Sequence, residues 1–86
     1  MAELDEKSKQ ISRLFVDNLI TARRNKGLTQ RQVAAKLGIS ASTIGCIEAR
    51  VGFPRFSLFF RLCSLYEVEP KALFDGRIQQ VTEDEC

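Results

Sequence analysis

Between Lys7 and Lys26 the apolar residues Ile11, Leu14, Phe15, Leu19 and Ala22 recur at steps of three and four. That period predicts a helix with one buried face. Arg23, Arg24 and Lys26 fall in its last turn, where positive charge suits the helix dipole, and Gly27 follows as a residue suited to the left-handed turn that ends helices. Thr29 then opens a second helix, and Gln32, three residues on, completes a capping box. Val33, Ala34 and Leu37 make its inner face, Gly38 ends it, and the apolar Ile39 plugs the turn. Ser40 is suited to cap a third short helix, with Ile44 and Ile47 inward and Glu48 near its end.

Gly52 and Pro54 mark the stretch from Ala49 to Arg55 as a loop. A fourth helix is predicted from Phe56 to Tyr66. At 100° per residue, Phe56, Phe59, Leu62, Cys63 and Tyr66 share a face, which Leu58 and Leu65 widen on one side and Phe60 on the other. This apolar arc is broader than one helix needs to meet its own small core. Glu69 to Phe74 reads as a last short helix with Pro70 in its first turn. Residues 75–86 lack a strong period, although Ile78 and Val81 could join a short strand. The pattern predicts an all-α fold, a compact bundle of five short helices. It divides the chain into an acidic, mobile N-terminus over 1–8, a helical domain over 9–74, and an acidic C-terminal tail or short dimerisation extension over 75–86.

Charge sharpens this division. The net charge is only +2, yet residues 7–74 hold twelve Lys and Arg against Asp17, Glu48, Glu67 and Glu69. A basic centre between acidic ends suits a polyanion-binding domain, and equally a merely soluble basic surface. The 86 residues suffice for one domain. No apolar run approaches the roughly 20 residues of a membrane span, and the acidic start is unlike a signal peptide, so a cytoplasmic protein without membrane contact is expected. The chain has no histidine, and Cys46, Cys63 and Cys86 are too far apart for a zinc or disulfide pattern. No metal, cofactor or enzymatic activity is expected; Glu67 and Glu69 do not form a convergent catalytic pair.

The run Leu28-Thr29-Gln30-Arg31-Gln32-Val33-Ala34-Ala35-Lys36-Leu37-Gly38-Ile39-Ser40, followed by Ser42-Thr43-Ile44 and Ile47-Glu48, resembles the Cro and lambda-repressor-like family of helix-turn-helix regulators, the xenobiotic-response-element type. The similarity continues through Pro54, Leu62, Leu65, Val68, Leu73 and Phe74. The resemblance implies a compact five-helix lambda-repressor-like domain that binds double-stranded operator DNA, commonly as a two-fold dimer and more often repressing than activating.

It also assigns roles. The helix starting at Ser40 becomes the recognition helix in the major groove, with Ala41, Ser42, Gly45 and Cys46 at base edges. Family members often carry long polar side chains at the positions matching Ala41, Ser42 and Cys46; the short ones here imply modest base reading, or reading through DNA shape. Gln30, Arg31, Thr43, Arg50 and Arg55 are placed to contact phosphates, although each arginine could equally be a solvated surface charge. Arg23 and Glu48 match a structural ion pair between the first and third helices. Cys46 is either a redox-sensitive thiol or simply a small neutral residue.

The wide apolar face of the fourth helix suggests a homodimer contact through Leu58, Phe60 and Leu65 with Phe53, unless the first helix covers these side chains within the monomer. A rival function uses the same face to bind a protein partner, as an antitoxin subunit does.

Overall fold

The computed structural model describes residues 2–79, with side chains from residue 6 onward. Among them the chain forms helices α1 (Ala2–Asn25), α2 (Gln30–Leu37), α3 (Ala41–Glu48) and α4 (Phe56–Tyr66), then a single 3-10 turn over Pro70–Phe74. The all-α architecture matches the periodicity, with no strand among the described residues. The expected bundle of five short helices needs correcting at both ends. Pro70–Phe74 is too short for an α-helix, and its Ala72 N–H bonds to the Glu69 carbonyl in the tighter i→i+3 pattern. At the other end α1 is not short: it extends 24 residues and begins at Ala2 rather than near Lys7.

Phe15, Val16, Leu19 and Ala22 of α1 meet Val33 and Ala34 of α2, Ile44 and Ile47 of α3, Leu62, Cys63 and Tyr66 of α4, and Leu73 of the 3-10 turn in one core. Leu37 and Ile39 are partly buried against it. Two expected inward residues are displaced. Ile11 is 53% and Phe56 81% exposed, so neither joins the core that the periodicity assigned to it. Ile78 packs against the core, while Val81 lies outside the described residues. No helix among the described residues is long and apolar enough to cross a membrane.

Aromatic packing links α1 to the far side of the bundle. Phe15, wholly buried, stacks on Phe53 (ring centroids 4.6 Å apart) and on Phe74 (5.1 Å). Phe59 joins them, then Phe60, then Phe56. All six phenylalanines of the chain therefore form one continuous cluster.

Candidate nucleic-acid interface

Local chemistry fixes the two helices that build the candidate surface. At the start of α2, the Thr29 hydroxyl accepts from the Gln32 N–H (3.1 Å) and the Gln32 side chain accepts from the Thr29 N–H (2.8 Å). Gly38, at φ 70°, closes α2 in the left-handed conformation, its N–H reaching back to the Ala34 and Ala35 carbonyls. A side chain at that φ is strained, so glycine is the natural occupant. Ser40 caps α3 by accepting from the Thr43 N–H (3.3 Å). Its hydroxyl also lies 2.8 Å from that of Ser42 and 3.3 Å from that of Thr43.

Buried Ile44 and Ile47 hold α3 against the core, and Ser42, Thr43 and Cys46 stand exposed on the other side. Ala41 and Gly45 do not share that outer face. Ala41 is partly buried against the core, and a Cβ on Gly45 would meet the Gln30 Oε1 at 3.6 Å. Steps of four and three along a helix put positions 41, 45 and 48 in one row, and here that row looks toward α2. Of the four short residues that the resemblance assigns to base edges, Ser42 and Cys46 are exposed and Ala41 and Gly45 are half-buried.

Glu48 ends this row and binds three helices together. Its Oε2 accepts from Arg23 Nε (2.8 Å) and its Oε1 from Arg23 Nη2 (3.0 Å) and Gln30 Nε2 (3.0 Å). The Arg23 and Glu48 side chains are only 11% and 6% exposed. Arg23 also donates from Nη1 to the Leu28 carbonyl (2.7 Å), which pins the connection into α2. Burial, with the Glu48 carboxylate adding and Arg23 opposing, pushes the Tyr66 phenol well above its usual pKa. Gln30, the residue expected to contact a phosphate at the start of α2, spends one amide N–H on this network. The participation of Gln30 had no sequence signal, because it depends on how α2 and α3 dock.

Basic residues frame the outer face. Arg31 lies in the first turn of α2, Arg50 just beyond α3, and Arg55 at the N-cap of α4; all are exposed. Arg55 makes no side-chain capping bond, so the N–H groups in the first turn of α4 lack the satisfaction that Thr29 and Ser40 supply elsewhere. Between α3 and α4 an open groove of about 350 Å³ is lined by Ser42, Thr43, Cys46, Phe53, Arg55 and Leu58. Cys46 presents its thiol to solvent, whereas the Cys63 thiol is buried and its pKa raised, first by burial and then by Glu69. Arg61, not singled out from sequence, donates to the Leu37 carbonyl (2.6 Å) and caps the end of α2.

Of the four residues read as a dimer contact, Leu58 and Leu65 are partly buried on their own core, while Phe53 and Phe60 are more than half exposed. Phe56 and Phe74, not included in that reading, are also exposed.

Residues 15–75, well over half of the chain, match the family model for a helix-turn-helix domain. No curated protein and no solved structure matches the chain.

Proposed function

The chain belongs to the helix-turn-helix domain family, a DNA-binding family, and from that premise we propose a transcriptional regulator of the Cro and lambda-repressor-like kind that reads the major groove of duplex DNA with α3. The observation that carries this reading is the bare outer face of α3. Ser42, Thr43 and Cys46 face solvent while Ile44 and Ile47 anchor the opposite side, and exposed Arg31, Arg50 and Arg55 flank the face. In this reading Ser42 and Cys46 meet base edges. Ala41 and Gly45, half-buried on the edge nearest α2, add only a methyl group and main chain to those base contacts. Thr43, Gln30 and the three arginines contact phosphates, which position the domain without selecting sequence. With so few long side chains on α3, selectivity leans on DNA shape. The regulator acts in the cytoplasm as a repressor, by occupying its site, and uses no covalent chemistry or cofactor.

The same reading makes the protein a homodimer. Phe53, Phe56, Phe60 and Phe74 are 62%, 81%, 54% and 43% exposed, roughly 500 Å² of apolar surface at typical ring areas. Doubled across a two-fold axis, that reaches about the 1,000 Å² expected of a specific interface. Leu58 and Leu65 would support this surface from beneath. The aromatic patch also favours the alternative of a protein-interaction module such as an antitoxin subunit.

Selection of random duplexes with the purified protein tests the primary reading. A dyad-symmetric site and a steep negative salt dependence, about −0.9 per neutralised phosphate, are expected. Sequence-independent recovery would reject specific reading. Sedimentation showing only monomer at high micromolar concentration would remove the dimer. Copurification of one small stoichiometric partner, with no DNA selected, would favour the alternative.

A further inference from the structure

A hollow of about 370 Å³ opens where the α3–α4 loop, the start of α4 and the 3-10 turn meet, lined by Phe53, Pro54, Arg55, Phe56, Phe59 and Phe74. Packing from beneath holds its walls. Buried Phe15 stacks on Phe53 and on Phe74, and Phe59 lies against Phe15, Phe60 and Phe74. The described chain does not close this hollow, because after the 3-10 turn it is strapped to α1. Asn18 is only 1% exposed; its Nδ2 donates to the carbonyls of Leu73 (2.9 Å) and Gly76 (2.8 Å), and its Oδ1 accepts from the Ile78 N–H (2.9 Å). Further along α1, Asn25 donates to the Gln79 carbonyl (3.2 Å). From Asn18 to Asn25 is about two turns of helix, roughly 10 Å. The strap therefore leads the chain along α1 away from Phe15 and the rings stacked on it.

Arg55 is the only charged residue in that lining. Its side chain makes no capping bond and has no carboxylate partner among the described residues. Concave aromatic walls with a single cation suit an apolar body carrying an anionic head. The rings pack on a flat aromatic body, and the guanidinium takes a carboxylate in a bidentate pair. The volume lies at the low end for small-ligand sites, so the fitting molecule is a small one. Phe53, Pro54 and Arg55 also line the groove beside α3, together with Ser42, Thr43 and Cys46. One loop is thus the shared wall of the hollow and the candidate DNA surface.

We propose that this hollow is an effector site for a small planar aromatic carboxylate, which engages Arg55 and so withdraws its guanidinium from a DNA phosphate. The regulatory half rests on the DNA-binding reading of Arg55; the binding half stands on the hollow alone. An exposed carboxylate–guanidinium pair is weak in water, and the aromatic walls strengthen this one by excluding solvent from one side of it. The ligand lies among the rings that the homodimer reading pairs, so ligand and second copy exclude one another there. Both effects run the same way: bound ligand loosens the grip on DNA.

Calorimetric titration of the full chain with cinnamate and with its neutral counterpart cinnamamide tests the site. The acid should bind roughly five- to tenfold more tightly than the amide, and Arg55→Gln should abolish that preference while leaving amide binding unchanged. Phe56→Ala, at an exposed position outside the core, should weaken both ligands by roughly threefold with the fold intact. Backbone amide signals of Phe53, Phe56, Phe59 and Phe74 should shift on titration. No binding by about 1 mM ligand, including the case in which a second copy fills the hollow, would overturn the proposal. So would equal affinities for acid and amide, a preference that survives Arg55→Gln, or signal shifts confined to other residues. Saturating cinnamate should then weaken duplex binding by roughly three- to tenfold in the native chain and clearly less in Arg55→Gln; an unchanged duplex affinity would overturn the effector role. If neither form binds any duplex, the DNA-binding reading fails, and the calorimetry alone decides whether the carboxylate site exists.

Discussion

Arg50 carries the backbone through the left-handed region at φ 62°, where glycine is the usual choice. Its N–H and that of Val51 close the end of α3 onto the carbonyls of Ile47 and Cys46. An arginine there costs about 1 kcal/mol of backbone strain. Arg50→Gly should therefore raise the melting temperature by about 4–8 °C while lowering the salt slope of DNA binding by about 0.9. Calorimetry and a salt titration on one variant check both, and a fall in both would show that glycine relieves nothing. Tyr66 gives a second residue-scale prediction. Its phenol is raised in the folded chain, so above the ordinary value of 10.0 the unfolded chain loses a proton that the folded chain keeps. Fewer protons on the unfolded state mean that stability falls as pH rises, by up to about 1.4 kcal/mol per pH unit. Denaturant titrations between about pH 9 and 11 should show a steeper decline for the native chain than for Tyr66→Phe.

At the scale of elements, the Arg23–Glu48–Gln30 network decides whether α3 keeps its orientation. Glu48→Ala leaves a guanidinium nearly buried without its carboxylate, and should cost about 3–5 kcal/mol in urea denaturation. Replacing Arg23 and Glu48 together with leucines should cost clearly less than the sum of the single changes; an additive result would remove the coupling. The caps at Thr29, Gly38 and Ser40 were legible in the sequence because capping is local: donor and acceptor lie within four residues. The orientation of Gly45, the binding of Gln30 to Glu48 and the exposure of Phe56 were not. A helical wheel assigns a side chain to a face of its own helix and says nothing of which neighbour, if any, covers that face. Arg50 and Glu67, both left-handed helix ends without glycine, carried no compositional signal at all.

At the scale of the whole molecule, the core could be read from periodicity, since Leu19, Val33, Ile44, Ile47 and Leu62 all occupy the faces that it assigns. The outer limits of the fold could not, because they depend on contacts across more than fifty residues. Asn18 makes this plain: it sits on α1 among apolar neighbours, and its partners lie at Leu73, Gly76 and Ile78. An amide with no water around it needs those main-chain groups as much as they need it. Cutting the chain after Phe74, where the helical pattern ends, would strip two of the three bonds and expose part of the core beneath Ile78. A fragment ending there should melt lower than one ending at Gln79, by a margin that Asn18→Leu partly restores. The smallest piece that folds well is thus set by a polar side chain near the beginning of the chain, and anyone dissecting the protein should cut beyond its grip.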